Sequence, residues 1–275
     1  MLEAWGLFIQ PRVRCVNSMR RCRMICSHCL RPWPMSTAEP WRDVSFHRGS
    51  VALQTLRGEG AAPYGGFNVG GHVGDAWAHV EANRNRLADR FGAPVVFPTQ
   101  VHGVRCIEVT SETQSDAVEA DACFTGLVYQ PIGILTADCL PVLFASSDQV
   151  ACAHAGWRGL VGGVIEATLA AFDTPSHVSC WLGPSIGPSQ FEVGPEVIDA
   201  FLTKQHQWRR FFRSSERAGH AYADLSGLAA DILNQAGVLD IHRMDACTVS
   251  DPSLWYSYRR DGVTGRMATC IMRTE

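Results

Sequence analysis

The sequence predicts a single α+β domain. Apolar β-type runs and amphipathic helical stretches mix along the chain without the regular strand–helix–strand rhythm of a parallel sheet. No internal duplication or low-complexity linker interrupts residues 36–275, and 275 positions with 46% hydrophobic residues are enough for one substantial core. The formal charge of -3 gives no basic excess that would point to nucleic acid. No apolar run approaches the roughly 20 residues of a membrane helix, so no membrane partner is expected.

Residues 1–35 differ from the rest. Arg12, Arg14, Arg20, Arg21, Arg23 and Arg31 occur with no acid between Glu3 and Glu39, and four of the eleven cysteines crowd there. Cys22, Cys26 and Cys29 show a C-x3-C-x2-C spacing similar to an iron–sulfur loop, but no barrel-type first strand carries it. A basic disordered extension, or residues upstream of a start at Met35, is the expectation. The later cysteines Cys106, Cys123, Cys139, Cys152, Cys180, Cys247 and Cys270 are odd in number and mostly lie in β-type runs. Reduced thiols and a cytoplasmic location follow.

From Val51 the chain alternates polar and apolar residues and then becomes glycine-rich up to Asp75. The spacing is not a dinucleotide fingerprint, so a loop that approaches a ligand or another loop is predicted, with Asn68 and His72 as its polar members. Asp75 is placed to cap a helix running to about Phe91, with Trp77, Val80, Leu87 and Phe91 inward and Gly92 closing it. Pro94–Phe97 and Gly103–Val109 read as β-type, and Asp121 heads another short strand. Ile134–Thr136, Val142–Ala145 and Val150–Ala153 are apolar strands, followed by a helix from about Leu160 to Phe172. Val178–Leu182 is a strand, and a helix opens on Pro195 with Val197 and Phe201 inward. Trp208–Arg213 is a basic aromatic patch expected to pack on the body. Asp224–Gln235 is a helix ended by Gly237, and Met244–Val249 and Arg266–Met272 are closing strands.

Three residues stand at strand mouths: Cys139 after one apolar strand, His154 at the end of another, and His102 between two β-type runs. A thiolate and two imidazoles suit zinc, and three protein ligands leave the fourth position that a catalytic ion requires. Cys139 and His154 could equally serve as a nucleophile and its base. Cysteine flanked by Leu140 and Val142 is also common core material. Arg158 falls near a helix N-terminus, suited to a phosphate or carboxylate. The Tyr256–Gly262 loop, with Arg259 and Arg260, offers an aromatic face and two cations.

TQVHG, TADCLPVLF and HAGWRGL resemble the signature blocks of the YfiH/DUF152 family, also called the multicopper polyphenol oxidase or laccase-domain family. GGFNVGGHVGD, LGPSIGP, FEVGPEV and SYRRDGVTGRMA are similar to further blocks, in the family's order, from about Asp43 to the C-terminus. The resemblance implies a layered α/β/β/α architecture with mixed sheets and a zinc cleft. It implies His102, Cys139 and His154 as metal ligands, with Cys139 and His154 catalytic. Arg57 occupies the position of a family arginine but follows Thr55-Leu56 rather than two threonines, and Asp121 matches a family acid. The implied activity is phosphorolysis of adenosine, inosine, guanosine and methylthioadenosine, with deamination of adenosine. Arg57, Arg158, Arg259 or Arg260 would then hold phosphate, and Tyr256 would stack on the base.

Two other enzymatic readings compete. A laccase needs several coppers and His-x-His pairs, and none occurs among the ten histidines, although copper could still enter a His2Cys site. A Cys139–His154 amidase acting on peptidoglycan precursors would need a thiolate free of metal. A non-enzymatic nucleoside-binding module is the remaining alternative.

Overall fold

Two β-sheets lie face to face between helical layers in the computed structural model, which describes residues 39–275. The extension expected over residues 1–35, with its cysteine spacing, lies outside the described residues. The chain begins with β1 (Trp41–Val44), β2 (Ser50–Thr55), α1 (Trp77–Phe91), β3 (Cys106–Glu108), β4 (Ala122–Thr125) and β5 (Ile132–Thr136). It continues through β6 (Leu140–Ala145), β7 (Val150–Ala155), α2 (Trp157–Gly162), α3 (Val164–Leu169), β8 (Ser179–Leu182), β9 (Glu192–Val193) and α4 (Pro195–Lys204). Last come β10 (Phe212–Ser214), β11 (Ala221–Ala223), α5 (Leu225–Gln235), β12 (Asp240–Arg243), α6 (Tyr258–Asp261) and β13 (Met267–Arg273).

The first sheet has the order β1-β2-β13-β5 and is antiparallel. The second, β12-β8-β6-β7-β4-β3, is mixed, with parallel pairs at both edges. A small third sheet, β10-β11-β9, completes the strands. Side chains of β6 and β7 alternate between two cores, as the two-residue period of a strand requires. Leu143, Ala145, Val150 and Cys152 meet Ile132, Ile134 and Ile271 between the sheets. Val142, Phe144, Ala151 and Ala153 face Leu160, Val164 and Ile165 of α2 and α3 and Leu228 of α5. Leu87 and Phe91 of α1 cover the far face of the first sheet through Leu53, Leu135 and Ala268. This is the expected α/β/β/α layering. Burial on both faces explains why β6 and β7 read as unbroken apolar runs.

Several elements depart from expectation. Trp77 is 55% exposed rather than core, and Asn83 takes a buried place on α1. The N-cap is Ala76, because the Asp75 carboxylate is already taken by Asn68 Nδ2 at 2.9 Å and His79 Nδ1 at 2.8 Å. Pro94–Phe97 forms no strand, only a bridge from Val96 to Ile132, since Pro94 and Pro98 bring no N–H to a ladder. The helix expected from Leu160 to Phe172 is split at Gly163, whose φ of 108° ends α2 and starts α3. The closing strand lies at β12, just before Met244–Val249, where the chain makes only a bridge from Cys247 to Ser185. Trp208 does pack on the body, buried, with its indole N–H donating to Asp231 Oδ2 at 2.8 Å.

Candidate metal centre and active-site cleft

The seam between the sheets builds the site. β5 belongs to one sheet and β6 to the other, so Ala137-Asp138-Cys139 carries the chain across and leaves Cys139 at the crossing. Asp138 makes that turn with φ 97°, a conformation few non-glycine residues adopt. Its buried carboxylate stabilises the turn by accepting from Thr248 Oγ1 at 2.6 Å and from the Arg259 amide at 2.6 Å. His154 is set in β7 opposite Pro141. Its Nδ1–H donates to Asp121 Oδ1 at 2.8 Å, which leaves Nε2 as the nitrogen free for a metal.

His102 is held by the same acid. It sits at φ 60° in a loop whose amides all point at the Asp121 carboxylate: Val101 N at 3.1 Å, His102 N at 2.9 Å and Gly103 N at 2.6 Å. Asp121 is fully buried, so four donors on one carboxylate orient two of the three ligands at once. Gly156 completes the enclosure. A Cβ there would lie 3.0 Å from Cys139 Sγ and 3.3 Å from His102 Cδ2, so the HAGWRG glycine is a requirement of space.

The ligand atoms of His102, Cys139 and His154 lie within 4.8 Å of one another, with Cys139 Sγ 3.9 Å from His102 Nε2. Bonds of ~2.3 Å to sulfur and ~2.0 Å to nitrogen put ligand atoms of a tetrahedral zinc about 3.5 Å apart. The Cys139–His102 separation exceeds that by a few tenths of an ångström and the widest pair by up to about 1 Å, so the three side chains would draw together around an ion. Burial pushes the Cys139 thiol up, but the two imidazoles outweigh it and bring the pKa down to about 6. Burial pushes His154 down, while Cys139 and Asp121 raise it to about 9. The thiolate that a soft metal needs is thus preformed.

This group opens into a cavity of about 580 Å³. Arg158, Arg259 and Arg266 line its wall, Arg266 with its guanidinium also donating to the Thr264 and Gly265 carbonyls at 3.0 Å, and Trp157, Phe191, Tyr258, Leu135, Ile186 and Leu225 supply aromatic and apolar surface. The combination suits a ligand with one anionic and one flat apolar part.

Residues 51–274 match the family described as multi-copper polyphenol oxidoreductase laccase. A Haemophilus influenzae protein named purine nucleoside phosphorylase is 40% identical over 228 residues, covering 80% of this chain and 93% of the relative. Escherichia coli purine nucleoside phosphorylase YfiH is 40% identical over 231 residues, 82% of this chain and 94% of the relative. The crystal structure of Neisseria meningitidis NMB0706, a DUF152 protein, superposes with a TM-score of 0.80 at 35% identity, covering 86% of this chain and all of that one. The chain belongs to this family. The YfiH/DUF152 resemblance of its motifs is thereby shown.

Within this YfiH-family cleft the sequence-predicted residues separate into two sets. Arg158 and Arg259 line the cavity, and Arg158 stacks on Trp157 with its guanidinium 4.4 Å from the ring centroid. Arg57, Tyr256 and Arg260 do not line it. Tyr256 is fully buried beneath the glycine-rich loop, and its hydroxyl donates to the Arg57 and Tyr64 carbonyls. It therefore has no face to offer a base. Arg57 donates to the Pro252 carbonyl at 3.1 Å and covers the Tyr256 ring. Arg260 spends its donors on the carbonyls of Thr248, Val249 and Trp255 and on Asp261.

Four residues in or beside the cleft were assigned no role from the sequence, although each lies in a motif quoted above and His72 was placed in the loop expected to approach a ligand. Arg266 immediately precedes β13, and its stem lies so close to Gly70 that a Cβ there would meet Arg266 Cγ at 2.7 Å. Gln100 exchanges both amide atoms with the Leu135 backbone, at 2.8 and 2.7 Å, and so ties the His102 loop to β5. His72 lines the wall, and Asp138 forms the turn already described. The glycine-rich run up to Asp75, which includes Gly70 and Gly71, was the sequence signal of a close approach. Among the described residues, no helix is long and apolar enough to cross a membrane.

Proposed function

We propose that the protein is a metal-dependent enzyme that cleaves purine nucleosides with phosphate: adenosine, inosine, guanosine and methylthioadenosine give the base and the (methylthio)ribose 1-phosphate. The observation that carries this reading is the coincidence of a three-ligand group and three arginines on one cavity wall. A phosphate oxygen bonds to C1′ of the sugar as the bond from C1′ to the base nitrogen breaks, and the base leaves with a proton. The chain's own residues bind and orient. Arg158 makes no hydrogen bond to the described residues, so its donors are available to an anion. Arg259 anchors on the Glu192 carbonyl at 3.1 Å and keeps further donors for phosphate. The names of the Haemophilus influenzae and Escherichia coli relatives, purine nucleoside phosphorylase, support the substrate class.

We take zinc as the ion held by His102, Cys139 and His154, where it would supply Lewis acidity at neutral pH, the property that also supports hydrolytic deamination of adenosine. Copper chemistry finds less support. A true laccase needs several coppers, and among the described residues one group of three metal-capable side chains occurs. Seven unpaired thiols support a reducing compartment, the cytoplasm.

The test is incubation of the zinc-loaded protein with adenosine and phosphate. Adenine plus ribose 1-phosphate is expected, with inosine as the product of deamination. Absence of turnover with every nucleoside refutes the reading, and oxidation of phenols by copper-loaded protein alone would replace it. Metal analysis of H102A, C139A and H154A, each expected to lose the ion, tests the ligand set separately.

A further inference from the structure

A second cavity, of about 490 Å³, opens beside the metal cleft and shares His72, Gln100 and Leu135 with it. We propose that this annex, walled by Trp77, Gly71, Pro98 and Leu135, holds the purine base, while phosphate occupies the arginine-lined cleft. The inference rests on the phosphorolysis reading alone and assigns the two halves of its substrates to two places; deamination at the metal group would require the base to turn into the cleft instead.

The distribution of free polar groups decides which half goes where. In the cleft, Arg158 has unused donors. In the annex, His72 at its junction with the cleft aside, the candidates for an anion are already engaged. Arg84 is paired with the Asp116 carboxylate and donates through Nε to the Val69 carbonyl at 2.9 Å. Thr99 Oγ1 donates to the Asp116 carbonyl at 3.0 Å, and the Gln100 amide is spent on Leu135. What remains is neutral and flat: an indole, two ring or branched apolar side chains and the bare backbone of Gly71. A planar uncharged heterocycle matches that wall and a phosphate does not.

Trp77 itself is unusual. It is the first residue of α1, yet 55% of it is exposed, whereas Leu87 and Phe91 on the same helix are buried. The ring is nevertheless held. Arg84 lies 5.7 Å from its centroid, and a Cβ on Gly71 would come within 3.0 Å of Trp77 Cζ3. A large aromatic side chain kept open and oriented beside a reaction cleft is a stacking platform. His72 stands where the two cavities meet, and its ring makes no hydrogen bond to the described residues. That junction is where the sugar joining base to phosphate has to lie.

The experiment compares wild type, Trp77→Ala, Trp77→Phe and Arg158→Ala, all zinc-loaded. KM for adenosine is measured at saturating phosphate, KM for phosphate at saturating adenosine, and adenine binding by calorimetry. Loss of a base–aromatic stack, ~1–3 kcal/mol, predicts a rise of about 5-fold to 150-fold in the adenosine KM and adenine Kd of Trp77→Ala. The phosphate KM should stay within about twofold, Trp77→Phe should recover most of the loss, and Arg158→Ala should show the opposite split. Gly71→Ala, which forces the indole aside, should reproduce the Trp77→Ala pattern. An unchanged adenosine KM and adenine Kd in Trp77→Ala overturn the assignment. If wild type turns over no nucleoside, the phosphorolysis reading fails instead, and adenine binding still decides the annex: equal affinity in wild type and Trp77→Ala, or none in either, overturns it.

Discussion

Replacing Asp121 with asparagine removes one negative charge and almost no volume, and the hydrogen-bond geometry makes its cost calculable. Oδ1 receives His154 Nδ1–H and His102 N–H; Oδ2 receives Val101 N–H and Gly103 N–H. An amide keeps one acceptor and turns the other into a donor. With the amino group on the first side, His154 must accept at Nδ1 and carry its proton on Nε2, which removes it from the ligand set. With the amino group on the second side, it faces two amide donors with no water to mediate, because the site is fully buried. Two charge-assisted bonds are lost either way, at ~1.5–3 kcal/mol each. The metal-free Asp121→Asn protein should therefore be less stable by about 3–6 kcal/mol, and zinc affinity should fall ~10–100-fold, as when other carboxylates behind a ligand histidine are removed. Burial raises the Asp121 pKa, but His154 and the loop amides pull it below 3.8 overall. Wild type should keep its advantage at all pH values above 3.8 and lose it only as pH falls further. Chelator competition and thermal melting of the metal-free proteins measure both quantities. A variant that melts with wild type and binds zinc within twofold of it would show that Asp121 does not orient the ligands.

Two further predictions concern thiols and arginines. Iodoacetamide at pH 7, read by peptide mass spectrometry, should label Cys247 in the zinc-loaded protein, because hydrogen bonds from Ser250 and Gly187 outweigh burial and lower its pKa. After chelation Cys139, at about 6, should be labelled as well, whereas Cys106, Cys152, Cys180 and Cys270, all raised chiefly by burial, should stay unreacted; early labelling of Cys152 or Cys180 would contradict this. Arg260→Ala strands the carbonyls of Thr248, Val249 and Trp255, so it should cost about 2–3 kcal/mol in denaturant titration with the phosphate KM unchanged. Arg259→Ala should do the reverse, and an Arg260→Ala variant of wild-type stability with a raised phosphate KM would restore the anion-holding role expected from its sequence neighbourhood.

The layered fold was legible because its signals are local. β5, β6 and β7 are buried on both faces and so stand out as apolar runs, and Gly92 and Pro195 mark helix ends through their own backbone constraints. The edges were harder. Pro94–Phe97 has the apolar side chains of a strand without the ladder donors, and β12, only Ile241 of which is even half-buried, shows almost no apolar signature. Trp77 fits the helical period of α1 but stands one turn beyond the sheet that α1 covers, where periodicity no longer reports burial.

The candidate metal group was legible for a related reason: Cys139 and His154 stand at strand ends, where polar chemistry has no structural purpose in an apolar run. The arginines were not, since a guanidinium is defined by what consumes its donors. Arg158, Arg259 and Arg260 all sit beside aromatic residues in glycine-containing stretches. Only the fold reveals that three backbone carbonyls and Asp261 close over Arg260, that Arg259 is half-committed, and that Arg158 rests on an indole with its donors open. Arg266 reaches the cleft solely because Gly70, nearly two hundred positions earlier, has no side chain to block its stem. The availability of each guanidinium to an anion is thus set by which backbone carbonyls engage it. Substitutions that free a carbonyl near Arg158 should weaken phosphate binding as effectively as removal of the arginine, without changing any residue that touches the ligand.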